Sequence, residues 1–312
     1  MAGAPLGIMI TAVAGVTSLG LLAPVVPMAD AINHARPLLL FAALALAAVA
    51  WQVGTRLQRT AAGLAAAVNV ALAAAPLLAV APLSERSAQT FKVISFNVWI
   101  HNRNIAAIAS FLRKEAADIV VLQELHAVVA DVLMDKVRDL YPHAIHCTGL
   151  RACDGAILAR RPWRDAHLML RVAPRPPSVH ARFEDDGAGG PLRVIGTHLA
   201  RPDKPRLQAE QLHALIADIG APGGPDDVPT VVAGDFNLTP WSWHLNVLSR
   251  QTGLMRPVTG GASWPAHRTT DEPMVLIDHV LVSRHFAVVS YRTGPRLGSD
   301  HLPVIVEFAR RP

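Results

Sequence analysis

The stretch Val231-Val232-Ala233-Gly234-Asp235-Phe236-Asn237-Leu238-Thr239-Pro240 decides how the rest of the chain is interpreted. Apolar residues lead into a Gly-Asp-x-Asn corner, and the proline after Thr239 suits a chain that leaves a strand and enters a helix. Because side chains two residues apart share one side of an extended backbone, we expect Asp235 and Asn237 to face one phosphoryl group or one metal-bound water. An Asx turn that caps the next helix is the alternative for an isolated corner.

The corner is not isolated. Apolar runs with strand character cover residues 91–96, 118–122, 192–196, 275–282 and 302–308. A polar group accompanies each of them: Ser95-Phe96-Asn97, Gln123-Glu124, Thr197-His198, Asp278-His279 and Ser299-Asp300-His301. Helix capping does not explain so many polar corners on strands. A single site assembled from several strand ends explains them better.

This ordered set resembles the endonuclease/exonuclease/phosphatase (DNase I-like) superfamily over about residues 91–309. Those proteins are metal-dependent phosphoesterases that include nucleases, neutral sphingomyelinases and inositol polyphosphate phosphatases. The chain is identified as a membrane-anchored bacterial-type member. The resemblance implies an α/β fold, a four-layer α/β/β/α sandwich of two mixed sheets. An expected hairpin of residues 275–282 and 286–291 agrees with mixed rather than parallel sheets.

The resemblance also implies the roles of the site residues. The expected catalytic residues are His301, Asp278, Asp235, Asn237 and His198. The expected ligands of Mg²⁺ or Mn²⁺ are Glu124, Asn97 and Asp300. In this scheme His301 is held by Asp278 and activates water for in-line attack on phosphorus, and Asp235 with Asn237 orients that water. His198 stabilises the charge that develops on the phosphoryl oxygens.

One departure from the family pattern narrows the expected substrates. In members similar to abasic-site endonucleases, the first asparagine is followed by a short Asp/Asn-Gly stretch. Here Asn97 is followed by Val98-Trp99-Ile100-His101. Repair of abasic sites is therefore disfavoured, and Asn97-Val98-Trp99 is faintly similar to the sphingomyelinase version of the motif.

The N-terminal residues have the composition of a membrane segment. The 312-residue chain is 51% hydrophobic and only 17% charged, and residues 1–29, 37–55 and 60–84 carry no charged side chain. Each span is long enough for a hydrocarbon core of about 30 Å. A cleavable signal peptide is the alternative for the first span, but a basic start is missing and two apolar spans follow. We therefore expect an all-α transmembrane anchor of three helices at residues 1–84, a linker at 85–90 and a catalytic domain at 91–312.

The charged residues and the cysteines indicate how the chain is oriented in the membrane. Arg56 and Arg59 lie between the second and third spans, whereas Asp30 and Arg36 lie between the first two. By the positive-inside rule, the catalytic domain lies outside the cytoplasm, on the periplasmic or extracellular side of a bacterial inner membrane. The two cysteines, Cys147 and Cys153, form a disulfide in that compartment or remain two free thiols.

The sequence leaves the substrate open. A net charge of +5 favours anionic partners, which are nucleic acid or phospholipid head groups beside the lipid bilayer. We expect hydrolysis of phosphodiester bonds in a nuclease-like reaction, with a phospholipid phosphodiesterase or an inositol polyphosphate phosphatase as alternatives. A catalytically inactive membrane scaffold is the alternative from another class. No obligate protein partner is expected.

Overall fold

A computed structural model describes residues 3–81, 90–125, 127–146, 155–170, 172–185, 189–224, 227–257, 261–268, 270 and 272–311. The expected disulfide between Cys147 and Cys153 and nearly all of the expected linker at 85–90 lie outside these residues. The disulfide and the domain boundaries therefore stay predictions.

The N-terminal part of the chain is helical. It contains α1 (Gly3–Gly20), α2 (Asp30–Asn33), α3 (Arg36–Val53) and α4 (Arg56–Ala74), with short 3-10 helices at Pro27–Ala29 and Ala75–Ala79. Two helical segments, Arg36–Val53 and Arg56–Leu77, are long and apolar enough to cross a membrane, and Ala4–Gly20 is apolar but shorter. Two of the three expected spans therefore meet the criterion of length and composition.

Small side chains bring these helices together. Ala50 of α3 and Ala62 of α4 are buried against Leu6 and Ile10 of α1. A side chain of this size lets two helix backbones approach closely, which is how helices associate in lipid. The Ala-rich composition of the third apolar span thus has a packing role.

The remaining residues form strands and helices that build two large sheets. The strands are β1 (Val80–Ala81), β2 (Thr90–Asn97), β3 (Ile119–Gln123), β4 (His143–His146), β5 (Ala156–Ala159), β6 (Asp165–Met169), β7 (Ser178–Phe183), β8 (Leu192–His198), β9 (Thr230–Asp235), β10 (Arg256–Pro257), β11 (Asp278–Val282), β12 (Phe286–Thr293) and β13 (Val304–Arg310). The helices are α5 (Ile105–Glu115), α6 (Ala127–Val137), α7 (Pro205–Ile219) and α8 (Trp243–Thr252).

Both large sheets are mixed. The six-stranded sheet has the order β12-β13-β2-β3-β5-β4, and the five-stranded sheet has the order β11-β9-β8-β7-β6. Each contains one parallel pair, β2 with β3 and β8 with β9, joined by the crossover helices α5 and α7 respectively. The other neighbours in both sheets pair antiparallel.

Three apolar cores hold four layers together. The strands alternate, so Val93 of β2 and Val231 of β9 point into the core between the sheets, whereas Ile94 and Val232 point outward. Helices α5 and α6 cover the outer face of the six-stranded sheet, and α7 and α8 cover that of the five-stranded sheet. The expected four-layer sandwich of two mixed sheets is confirmed.

Two local expectations are wrong. Strands β11 and β12 are not a hairpin, because β11 pairs with β9 in one sheet and β12 with β13 in the other. The short connection at residues 283–285 carries the chain from one sheet to the other, a step that strand periodicity does not encode. The helix after the Gly-Asp-x-Asn corner begins at Trp243 rather than at Pro240, because the Ser242 hydroxyl accepts the N–H of Leu245 and caps it there.

The N-terminal helical part is joined to the sandwich by specific hydrogen bonds. We call residues 21–35, between α1 and α3, the connecting segment. The Asp30 carboxylate accepts from the Ser242 hydroxyl at 2.6 Å and from the Trp243 N–H at 2.7 Å, so it sits at the N-terminus of α8. A carboxylate there satisfies helix donors that have no partner within the helix and complements the helix dipole. The segment is thereby fixed beside the strand ends described next.

Candidate active site

The sheet topology explains why polar corners that are distant in sequence meet. Parallel strands place their carboxyl ends at one edge, and this brings together Asn97 at the end of β2, Glu124 after β3, His198 at the end of β8 and Asp235 at the end of β9. Antiparallel strands reach the same edge with their first residues. Asp278 opens β11 opposite Asp235, and His301 stands just before β13.

Strand pairing at this edge depends on a glycine. Gly234 pairs with Thr197 in the register of β8 and β9. A Cβ atom at Gly234 would lie 1.8 Å from the carbonyl oxygen of Thr197. Because no side chain fits there, only glycine lets the two strands approach, and this places His198 directly beside Asp235.

Asp278 and His301 form a buried pair. The His301 Nδ1 lies 2.7 Å from Asp278 Oδ2, and its Nε2 lies 3.7 Å from Asp235 Oδ2. Burial lowers the pKa of His301, but the charge of Asp278, its hydrogen bond and the charge of Asp235 outweigh this effect and raise the pKa to about 10. The pair therefore favours the imidazolium form of His301, with one N–H directed at Asp278.

Asp235 accepts hydrogen bonds from two residues of the site. Its Oδ1 accepts the backbone N–H of Asn237 at 2.9 Å, and its Oδ2 accepts from Asn97 Nδ2 at 3.1 Å. Burial and then the negative charge of Asp278 raise the pKa of Asp235, while His301 and His198 act in the opposite direction. Asp235 is thus a carboxylate with an increased affinity for a proton.

Glu124 closes the other side of the site. Its Oε1 accepts from Asn97 Nδ2 at 3.1 Å, and its Oε2 accepts the N–H of Ile100 at 3.1 Å. The amide of Asn97 therefore bridges the Glu124 and Asp235 carboxylates. The amide oxygen is turned away and accepts the N–H of Trp99, so Asn97 presents a donor to the centre of the site.

His198 lies between the two carboxylates. Its Nε2 is 3.7 Å from Asp235 Oδ2 and 3.9 Å from Glu124 Oε1. These distances place the imidazole where it can donate to a group bound between the carboxylates. The structure therefore brings together His301, Asp278, Asp235, His198, Glu124 and Asn97.

Asn237 is close to this group but is oriented differently from the expectation. Its φ is 52°, so the backbone turns into the left-handed region after Asp235 instead of continuing extended. Its Nδ2 donates to the carbonyl oxygen of Leu199, and its contact with Asp235 is through the backbone N–H. Asn237 thus orients the Asp235 carboxylate through its backbone N–H, and the two side chains do not point the same way.

Strained backbone is concentrated at the site. Among the described residues, four that are not glycine have a positive φ, and three of them line one cleft: Trp99, Glu124 and Asn237. Such conformations cost about 1–3 kcal/mol each and persist where the surrounding structure imposes them. Sequence reasoning gave no sign of this strain at Trp99 or Glu124, because neither residue type favours that conformation.

The donor set fits a hard divalent cation. The carboxylates of Glu124, Asp235 and Asp300 line the same cleft, and oxygen ligands of this type are those that Mg²⁺ prefers. Asp300 Oδ1 is buried without a hydrogen-bond partner among the described residues, which is an oxygen in need of a cation or donor. Ligand atoms of Asp235, Asp278 and His301 also lie within 4.8 Å of one another, so an acidic and histidine cluster that could hold a metal ion is present.

The cleft itself has a volume of about 740 Å³. Its walls include residues that the sequence did not suggest: Ala31, His34, Ile100, Arg201, Lys204, Trp264, Val275 and Ile277. His34 and Ala31 belong to the connecting segment, and His34 contacts Thr239, which lies 205 positions later in the chain. No local motif could have identified them.

Trp241 and Trp243 do not line this cleft, and Trp241 instead lines a smaller cavity of about 260 Å³ beside α4.

Comparison with known proteins identifies the family. The sequence model of the Endonuclease/Exonuclease/phosphatase family matches residues 94–301, which include every expected site residue. The chain belongs to this family. The search of curated protein sequences found no match to this chain.

Solved structures agree with this family fold. An endonuclease/exonuclease/phosphatase from Beutenbergia cavernae is similar with a TM-score of 0.58 and 21% identity, over 71% of this chain and 72% of that one. A Bacteroides thetaiotaomicron mannosyl-6-phosphatase has a TM-score of 0.58 and 16% identity, over 70% and 99% of the two chains. D. rerio TDP2 complexed with single-strand DNA product has a TM-score of 0.56 and 17% identity, over 70% and 99%. At these identities the likeness concerns the fold alone.

Proposed function

We propose that this member of the endonuclease/exonuclease/phosphatase family is a hydrolase of phosphodiester bonds that depends on Mg²⁺ or Mn²⁺. The observation that carries the proposal is the buried His301–Asp278 pair beside Asp235, with Glu124 and His198 in the same cleft. A phosphatase and a DNA-processing protein among the similar structures are consistent with phosphoester chemistry. An inactive scaffold has no need to keep two buried, electrostatically costly groups in this arrangement.

The residues divide into binding and acid–base groups. Glu124 and Asp300 would hold the cation, with Asp235 nearby, and the bound cation would neutralise charge on the phosphoryl oxygens. His198 donates to those oxygens, since its Nε2 faces the space between Glu124 and Asp235. Both N–H groups of the Asn97 amide are used by Glu124 and Asp235, so Asn97 holds the two carboxylates in position. The His198 donor stabilises the additional negative charge of the transition state.

Asp235 accepts the proton of the attacking water, and His301 stabilises charge. The water oxygen forms a bond to phosphorus as its proton passes to Asp235, and the bond from phosphorus to the leaving oxygen breaks. The imidazolium of His301, kept charged by Asp278, stabilises the negative charge beside it, and the leaving oxygen takes a proton from solvent. The sequence suggested His301 as the acceptor of the proton, but the raised pKa of His301 favours Asp235 in that role.

Turnover of bis(p-nitrophenyl) phosphate by the full chain in detergent tests the proposal. We expect turnover that requires Mg²⁺ or Mn²⁺ and stops on chelation. The Asp135→Ala variant serves as a matched carboxylate control, since the Asp135 side chain is 80% exposed. Metal-independent turnover would contradict the proposal, as would a folded protein that cleaves neither this ester nor any lipid or nucleic acid phosphodiester.

We also propose that the enzyme is tethered to a membrane with its cleft outside the cytoplasm. Two apolar helices of sufficient length and the arginines at Arg56 and Arg59 support this arrangement. An alkaline phosphatase fusion after Thr90 is expected to be active and a green fluorescent protein fusion at the same point to be dark. The reverse pattern would place the catalytic residues in the cytoplasm.

A further inference from the structure

The connecting segment builds one wall of the catalytic cleft. Ala31 and His34 line the same cleft as Glu124, Asp235 and His301. These two residues stand between α1 and α3, so the wall that they form continues directly into apolar helices. Anything bound in the cleft lies beside the point where those helices begin and end.

This wall is held in place by hydrogen bonds. Asp30 is bound to Ser242 and Trp243, as described above, and it also accepts from Asn33 Nδ2 at 2.7 Å. His34 Nδ1 lies 3.0 Å from the Thr239 hydroxyl and accepts the N–H of Thr239 at 3.2 Å. Thr239 follows the Gly-Asp-x-Asn corner, so the wall is connected to the catalytic strand end itself.

The same contacts determine which atom His34 can offer to a ligand. Because Nδ1 accepts a backbone N–H, a neutral imidazole must carry its proton on Nε2. Burial lowers the pKa of His34 and outweighs the opposing effect of Asp30, so the neutral form is favoured. His34, which lines the cleft, therefore has an Nε2–H donor.

Apolar side chains surround the wall on the outside. In the connecting segment, Val25 is 77% exposed and Met28 is 64% exposed. On the sandwich side of the cleft, Ile100 and Trp264 line the cleft and are also exposed. Exposed apolar groups just before α3, a helix long enough to cross a membrane, are expected to contact the interfacial region of a bilayer.

Cationic side chains complete the cleft. Arg201 and Lys204 line it and are exposed. They would attract an anionic head group that approaches along the membrane surface. The cleft thus combines apolar groups, cations and a hydrolytic centre at one end of the apolar helices.

We propose that the substrate is a membrane-resident phosphoester, an amphiphile with a phosphodiester head group and a hydrocarbon tail. The head group enters between the connecting segment and the strand ends, and His34 donates its Nε2–H to a head-group oxygen. The tail stays in the bilayer beside α1 and α3. This inference rests on the hydrolase function proposed above and specifies its substrate class. A nucleic acid has no hydrocarbon tail to place in the bilayer beside these helices.

The substrate class can be tested with the full chain in nanodiscs. The bilayer contains phosphatidylcholine, phosphatidylglycerol, sphingomyelin and phosphatidylinositol 4-phosphate, and the buffer contains Mg²⁺ or Mn²⁺. Mass spectrometry follows cleavage of each lipid, while bis(p-nitrophenyl) phosphate and single- and double-stranded DNA are assayed in parallel. We expect at least one bilayer lipid to be cleaved faster than DNA at equal phosphate concentration.

The outcomes separate the two proposals. Turnover of the nitrophenyl ester without cleavage of any lipid, or faster cleavage of DNA than of any lipid, would overturn the substrate class and leave the hydrolase function standing. Failure to hydrolyse the ester, the lipids and the DNA would overturn the hydrolase function and this inference with it. Cleavage of a bilayer lipid faster than DNA supports both proposals, whether or not the small ester is turned over.

A pair of variants tests the role of His34. The His34→Asn variant keeps an acceptor near the position of Nδ1 but lacks the donor at Nε2, whereas His34→Gln keeps a donor near Nε2 but lacks the acceptor for Thr239. For the cleaved lipid, we expect His34→Asn to raise KM about tenfold, the effect of one lost hydrogen bond to a charged group. His34→Gln should restore most of the affinity and lower the Tm instead. If both variants cleave the lipid with the KM of the unaltered protein, the binding role of His34 is refuted.

Discussion

Replacement of Asp30 by alanine is expected to loosen the connecting segment from the sandwich. Asp30 is 3% exposed, and its carboxylate accepts from the Ser242 hydroxyl and the Trp243 N–H at 2.6 and 2.7 Å. The alanine variant leaves both donors without this acceptor at the start of α8, whereas Asn33 Nδ2 keeps the carbonyl oxygen of Gly20 as a partner and the His244 N–H loses only a contact of 3.4 Å. Asp30→Asn retains one acceptor oxygen but places an NH₂ group against a donor, so its effect should be intermediate.

The magnitude follows from these two donors. An unsatisfied buried donor costs about 1–3 kcal/mol, so two donors give about 2–6 kcal/mol. Ser242 is fully buried, whereas Trp243 is 37% exposed and can obtain a water molecule as a partner. The lower half of the range therefore applies, and we expect a loss of about 3 kcal/mol, equivalent to about 10²-fold in the local opening equilibrium.

Hydrogen exchange of the full chain in detergent measures this opening. The amide of Trp243 should lose about 10²-fold of its protection in Asp30→Ala, and the Tm should fall. The control variant Asp135→Ala removes an exposed carboxylate and should change stability by less than about 0.5 kcal/mol. Unchanged protection of the Trp243 amide in a folded Asp30→Ala protein would refute the proposed attachment.

Three further predictions concern the site and its surroundings. His301→Ala should lower kcat for the nitrophenyl ester by about 10²–10³-fold with the fold intact, because the imidazolium that stabilises the developing negative charge is lost. Asp278→Asn should have a smaller effect in the same direction, and turnover near that of the unaltered enzyme, with an unchanged Tm, would exclude the electrostatic role of His301. Glu124→Ala should raise the Mg²⁺ concentration for half-maximal activity before it lowers the maximal rate, which a metal titration beside thermal unfolding will show. Burial lowers the pKa of His180 from 6.5 to about 4 despite the charge of Asp218, so stability is lost as the pH falls from about 6.5 towards 4. Between about pH 6.5 and 4, each fall of one pH unit should raise the unfolding constant about tenfold more in the unaltered protein than in His180→Gln. An equal pH dependence of the unfolding free energy in the two proteins, measured by denaturation at each pH, would contradict this.

The sequence was sufficient wherever the signal is local. The uncharged spans predict long apolar helices, because a helix buried in lipid needs about twenty apolar residues in succession. Alternation in residues 91–96 predicts β2, which the structure extends to Thr90–Asn97. Apolar residues at helical spacing, such as Ile108 and Leu112, predict a helix over residues 105–116. The structure ends this helix, α5, at Glu115, because Ala116 adopts the left-handed conformation. These features arise from interactions between residues that are near one another in the chain.

Candidate site residues could also be found from the sequence, because polar groups at the ends of apolar strands are unusual. Their order allowed the family resemblance to be recognised before any geometry was known. Their orientation could not be inferred. Asn97 directs its nitrogen rather than its oxygen at the carboxylates, and Asn237 turns into the left-handed region and contacts Leu199. Both orientations depend on partners from other strands.

Only the tertiary structure decided which strands pair and what covers the cleft. Periodicity shows that β11 and β12 are strands, but it contains no information about their partners, which lie in different sheets. The contact of His34 with Thr239 spans 205 positions and depends on Asp30 fixing the connecting segment at the start of α8. Hydrogen bonds of this kind form between groups that the fold alone brings together. The sequence therefore determined the elements and most of the catalytic residues, and the packing of the apolar helices against the sandwich determined what surrounds them.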